Sequence, residues 1–177
     1  MSNIEIRRAQ TEDLHNLSYI FEQEFIANGY SDEEIQQLKS TPYAPSATAQ
    51  RIVEAWEQGE DSPAAWIAFD GDRPVAGIST KDVSGGVWVD EGYRRQGIGS
   101  ALTRIRLEHC VEHNLPLDSV TIESTNEASL KMHRGLSFKF DKASQDLVDK
   151  AQRAGQSLSD IRQENGSPAR LRLLPPQ

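Results

Sequence analysis

Between Val87 and Gly99 the chain reads Val-Trp-Val-Asp-Glu-Gly-Tyr-Arg-Arg-Gln-Gly-Ile-Gly, and no other stretch restricts the fold as much. Val87-Trp88-Val89 specifies a strand, a basic glycine-bearing loop follows, and an apolar face at Ile98, Ala101, Leu102 and Ile105 specifies a helix running to about Asn114. A strand leading through a short loop into a helix points to mixed α and β architecture. The junction is also suited to an anion. The N–H groups in the first turn of a helix lack internal partners, and the helix dipole favours negative charge there. Gly97 and Gly99 let a ligand approach the backbone closely. Arg94 and Arg95 add charged donors matched to phosphate oxygens.

The flanking sequence sorts by period. Ile4 to Ile6 reads as a first strand, and Thr11 as the cap of a helix whose stripe is Leu14, Leu17, Phe21 and Phe25. A short helix is expected over Asp32–Leu38, a proline-bearing loop over Ser40–Pro45, and a further helix over Ser46–Gln58. The period then changes. Ala64–Phe69 and Pro74–Thr80 form a hairpin around Asp70-Gly71-Asp72, and Gly85-Gly86 turns the chain into Val87. Beyond Pro116 come a strand at Ser119–Glu123, a helix at Asn126–Arg134 stopped by Gly135, and a strand at Leu136–Phe140. A helix follows from Ser144 to about Arg153, running on towards Glu164, and a closing strand is expected at Arg170–Leu174.

Three phosphate-bearing ligands could use the glycine loop. A P-loop requires Lys and Ser or Thr after its last glycine, where Ile98 and Gly99 stand, so that reading fails. A dinucleotide fingerprint requires a third glycine where Leu102 stands. The coenzyme A diphosphate pattern [RQ]-x-x-G-x-[GA] is met by Arg94, Gly97 and Gly99. Net charge is −8, so nucleic acid is a poor partner and a cationic amine a suitable one, although such charge also serves solubility alone. Cys110 is the single cysteine, which rules out an internal disulfide and fits a reducing compartment. No apolar run reaches the roughly 18 residues of a membrane span. Met1–Ile6 lacks the pattern of a secretory signal. A cytoplasmic location is therefore expected.

Downstream, Asn126, Ser129, Leu130 and His133 recur at helical spacing and share one face. Asn126 also suits the helix cap. An amide, a hydroxyl and an imidazole on one face do not make a simple core stripe. With the arginine-glycine loop, this segment resembles the GNAT (GCN5-related) N-acetyltransferase superfamily. Its pattern continues with Asn-x-x-[AS], then Tyr or His, then Gly-Phe. Here Asn126, Ser129 and His133 match, and Ser137-Phe138 stands for Gly-Phe. The match covers about residues 60 to 140.

The resemblance implies a single domain over residues 1–177. Its fold would be a twisted, mostly antiparallel sheet of six to seven strands with a splayed central pair and helices on both faces. Residues 141–168 would be an insertion before the last strand at 170–174. It implies transfer of an acetyl group from acetyl-CoA, with no metal, to a primary amine that attacks the thioester directly. A module that binds acyl-CoA without turnover is the alternative. Backbone groups at Trp88 and Val89 would pair with the pantetheine arm. The diphosphate would sit on Arg94, Arg95, Gln96, Gly97, Ile98, Gly99 and Ser100, with Asn126 and Ser129 completing the cofactor site. His133 would protonate the departing thiolate. Glu123, which shares a strand face with Thr121, is the candidate base, and Asp82 a weaker one. The acceptor would be a small-molecule or peptide amine, and Tyr30, Tyr43, Glu33 and Glu34 are candidate walls of its site. A homodimer is compatible with the resemblance; nucleic acid and membrane are not expected partners.

Overall fold

Alternation in β2 (Ala65–Asp70) explains most of the architecture around it. Ala65, Ile67 and Phe69 pack with Leu17, Ile20, Phe21, Ile52 and Val53 on one face of a sheet. Trp66 and Ala68 pack with Ile98 and Leu102 on the other. An unbroken apolar run is what a strand covered on both faces requires. The computed structural model describes residues 3–80 and 86–177, in two units, Met1–His109 and Cys110–Gln177. Asp82 and Gly85 lie outside the described residues.

In the first unit, β1 (Ile4–Arg8), β2, β3 (Arg73–Ser79) and β4 (Val87–Val89) form an antiparallel sheet in that order. Helices α1 (Leu14–Ala27) and α3 (Pro45–Glu57) supply one covering layer, with α2 (Asp32–Leu38) between them in the chain; α4 (Ile98–Glu112) begins on the other face. Gly77 permits the close approach of α1, because a Cβ there would lie 2.9 Å from the Ile20 side chain. Two expected boundaries shift. Pro45 opens α3 rather than closing the loop, since a first-turn N–H has no helical partner to lose. Thr11 is not the cap of α1; Thr11–Asp13 forms a 3-10 turn in which the Asp13 carboxylate accepts from Gln10 N at 2.8 Å.

The second unit holds β5 (Val120–Glu123), α5 (Glu127–Gly135), β6 (Lys139–Phe140), α6 (Lys142–Arg153) and β7 (Arg170–Leu174). Its antiparallel sheet runs β5-β7-β6, with β7 paired to both neighbours. Leu171 and Leu173 are buried while Arg170 and Arg172 are exposed, the alternation of a sheet with one face in the core. Helix α6 buries Ser144, Val148 and Ala151, and ends before Gly155 at φ 69°; the expected run to Glu164 is reduced to a 3-10 turn at Leu158–Asp160. Among the described residues the strands are thus seven in two sheets. Among the described residues β4 pairs only with β3 and β5 only with β7. Among the same residues no helix is long and apolar enough to cross a membrane.

Candidate active site

The glycine loop is pinned at its entry. Tyr93 Oη donates to Asp70 Oδ2 at 2.6 Å, a bond that holds the phenol above its ordinary pKa. Arg73 pairs with Asp90 at 2.9 Å, and Asp90 Oδ1 accepts from Gly92 N at 3.0 Å. Arg94 spends its Nε on the Val89 carbonyl at 3.1 Å, and the Gln96 amide reaches back to the Gly92 carbonyl at 3.4 Å. The loop then coils through two left-handed residues, Arg95 at φ 61° and Gly97 at φ 79°. Alternating hands turn successive N–H groups towards one concavity. The N–H groups of residues 95–100 donate to no other described group; the first helical bond of α4 runs from Ala101 N to Gly97 O at 2.9 Å. Ile98 points its side chain into the core and gives the loop only its backbone, whereas Arg95 and Ser100 are exposed. Trp88 likewise buries its ring, edge-on to Tyr19 at 5.9 Å, so only its backbone is available at the open edge of β4.

In the second unit Asn126 caps α5, its Oδ1 accepting from Ser129 N at 3.2 Å. His133 is 5% exposed. Its Nδ1 lies 2.8 Å from the Ser129 carbonyl and 3.4 Å from Ser129 Oγ. A carbonyl only accepts, so Nδ1 carries the hydrogen of the neutral ring. The single hydrogen of the neutral ring is therefore spent on Ser129; donation from Nε2 requires the imidazolium. Glu123 is exposed at the end of β5, opposite Arg170 and on the same side as Thr121. Among the described residues no cluster of His, Cys, Asp and Glu is arranged to hold a metal ion.

The family model of the acetyltransferase (GNAT) family matches residues 30–138. The chain belongs to the GNAT acetyltransferase family. Solved structures agree on the fold. PaiA N-acetyltransferase from Thermoplasma acidophilum, in complex with coenzyme A, is 17% identical with a TM-score of 0.54, covering 97% of this chain and 99% of that one. YncA from Salmonella typhimurium, with its cofactor acetyl-CoA, is 17% identical with a TM-score of 0.53, covering 78% and 81%. A GNAT acetyltransferase from Streptococcus pneumoniae is 15% identical with a TM-score of 0.51, covering 78% and 86%. A comparison with curated protein sequences gives no match.

The GNAT pattern's Gly-Phe has a physical reading in this chain. Gly135 does not stop α5; the helix closes through Leu136, and the left-handed residue is Ser137 at φ 68°. Phe138 N donates to His133 O and Ser137 N to Arg134 O, both at 3.0 Å, a Schellman closure whose apolar contact is Phe138 against the His133 ring at 5.2 Å. The closure consumes residues 136–138 and shortens the expected strand to Lys139–Phe140. Serine in this conformation is strained where glycine is not. Ser137→Gly is expected to stabilise the protein by about 0.5–1 kcal/mol, the relief being partly offset by the unfolded-state freedom of glycine. A thermal melt should show a rise of roughly 1–4 °C.

Of the candidate acceptor walls, Tyr30 and Tyr43 line a cavity of about 220 Å³ in the first unit; Glu33 and Glu34 do not. Glu34 is occupied in capping α2, its carboxylate accepting from Ser31 N at 2.7 Å. Glu24 and Arg51 line the same cavity, and sequence reasoning did not find them. Both sit on exposed-looking helix positions, and only the packing of α1 with α3 brings them together.

Proposed function

We propose that the protein transfers an acetyl group from acetyl-CoA to the nitrogen of a primary amine, acting as one acyltransferase domain with residues 141–168 inserted before β7. The observation that carries this reading is the run of unpartnered N–H groups at residues 95–100, set between Arg94 and the start of α4. Such a concavity complements a diphosphate. The free Nη groups of Arg94 and the guanidinium of Arg95 add charge, and Gly97 and Gly99 leave the approach open. The unpaired edge of β4 offers Trp88 and Val89 backbone groups to an amide-bearing arm. On the second unit, Asn126 and Ser129 order the first turn of α5 and fix the tautomer of His133. We assign the proton for the departing thiolate to His133 Nε2. The acceptor ammonium must first shed a proton, and Glu123 is one carboxylate available for that step. In this reading the protein works in the cytoplasm, a location compatible with its single cysteine, Cys110.

Gly99→Asp tests it. A Cβ at residue 99 meets only Val89 Cγ2, at 3.5 Å, so the fold should survive. The carboxylate would confront the diphosphate. Titration calorimetry should show coenzyme A affinity reduced about tenfold or more. Unchanged affinity in a folded variant would remove the diphosphate from this loop.

A further inference from the structure

The cavity beside α1 carries more than a space for an acceptor. Phe21, Phe25, Tyr30 and Tyr43 make its walls, with Phe25 and Tyr30 edge to face at 4.9 Å. Two opposite charges share it, Glu24 from α1 and Arg51 from α3. Arg51 Nη2 donates to the Pro42 carbonyl and to Thr48 Oγ1, each at 3.4 Å, long bonds that locate the guanidinium without neutralising it. No described carboxylate pairs with Arg51. Glu24 reaches the other way. A Cβ built on Gly86 would lie 1.8 Å from Glu24 Oε1, so the carboxylate rests on the backbone immediately before β4. One side chain thus joins the cavity to the strand whose open edge is offered to the acyl donor.

Apolar aromatic walls, one cation and one anion complement a ligand with an apolar body, a carboxylate and an ammonium. A polyamine would set its second charge against Arg51. The volume of about 220 Å³ lies below the roughly 300–1,000 Å³ of pockets that take drug-sized ligands, and suits a single residue rather than a peptide. We propose that this cavity binds the acceptor as a free amino acid with an aromatic or large apolar side chain. Arg51 holds its carboxylate, and Glu24 receives its ammonium and removes one proton. The inference rests on the acetyl-transfer reading and moves the base from Glu123 to Glu24. The nitrogen lone pair then forms the C–N bond to the thioester carbonyl carbon, and the C–S bond breaks with its electron pair going to sulfur. Nitrogen loses its second proton as the amide forms, and sulfur gains one. The balance is an ammonium and acetyl-CoA giving an acetamide, the free thiol and one proton.

The full chain is assayed by thiol release from acetyl-CoA with L-phenylalanine, 2-phenylethylamine and spermidine, and acetyl-CoA binding is titrated on the same samples. L-Phenylalanine should be the preferred acceptor and spermidine the poorest. Arg51→Gln should raise KM for L-phenylalanine about 10–100-fold, the worth of a charged hydrogen bond, and leave KM for 2-phenylethylamine in place. Glu24→Gln should lower kcat about 10²–10⁴-fold with acetyl-CoA affinity retained. If Glu24→Gln fails to bind acetyl-CoA, Glu24→Asp decides, with reduced turnover supporting the proposal and full turnover overturning it. Retained turnover in Glu24→Gln, preference for spermidine, or no thiol release with any of the three while acetyl-CoA binds would each overturn it and leave the family reading intact. Loss of acetyl-CoA binding by the wild type would instead remove that reading, and this inference with it.

Discussion

His133→Phe is expected to lower turnover about 10²–10⁴-fold, the usual worth of a positioned proton donor, while acetyl-CoA affinity changes little. Phenylalanine keeps the ring that packs on Phe138 and removes both nitrogens, so the Schellman closure of α5 should persist. The hydrogen on Nδ1 is bound to the Ser129 carbonyl, so in the proposed reaction Nε2 is the nitrogen that would exchange a proton. An imidazole fixed this way gives a proton only after it has taken one. The deprotonating amine nitrogen of the tetrahedral intermediate is a chemically competent source. Donors with different leaving groups separate the two halves of such a relay. A more acidic thiol should rescue the variant if thiolate departure is what His133 assists, and should not if its task is at nitrogen. Near wild-type turnover with a confirmed acceptor would make the imidazole a packing residue alone.

The parts of this site that local sequence could reveal are those built within one short segment. The loop at 94–99 and the cap at Asn126 depend on neighbours a few residues away, and their spacing is enough to read them. Ser137 shows the limit. Gly135 is the obvious helix stop on composition, yet the left-handed position fell two residues later, on a serine, because the helix end is chosen by where Phe138 can pack against His133. Thr11 fails as a cap for a similar reason: Asp13, two residues on, is claimed by Arg7 of β1 and draws the turn around itself. The two sheets are legible as strands but not as a grouping, since pairing between segments as distant as β5 and β7 is set by tertiary contact. Glu24 and Arg51 are further still from local reading. Each is an ordinary helix charge until α1 and α3 are packed, and nothing in the period of either helix marks it.

Asp13→Ala is expected to produce the largest loss of stability. The Asp13 carboxylate is 2% exposed and accepts from Arg7 Nη1 at 2.6 Å, Arg7 Nη2 at 2.9 Å and Gln10 N at 2.8 Å. The Arg7 guanidinium also lies over the Phe69 ring at 4.6 Å, tying β1, the 3-10 turn and β2 into one cluster. Removing the carboxylate strands a backbone donor and the arginine of a partly buried ion pair. Such losses cost about 3–5 kcal/mol, and the low end applies because the Arg7 side chain is 37% exposed and can turn to water. For a chain of this size, about 3 kcal/mol lowers Tm by roughly 6–12 °C. The pH dependence fixes the cause. Burial alone pushes the Asp13 pKa up, but the Arg7 and Gln10 hydrogen bonds and the Arg7 charge outweigh it and hold the carboxyl below its ordinary value. The folded state therefore holds its proton more weakly than the unfolded chain. The stabilisation is complete above the unfolded value of about 3.9 and is lost as pH falls through the lower folded value. The Tm gap between wild type and Asp13→Ala should stay constant from neutral pH down to about pH 5 and narrow below about pH 4. A gap that persists unchanged into that acid range would mean that the loss comes from backbone geometry at the turn, with the Arg7–Asp13 charge pair contributing nothing.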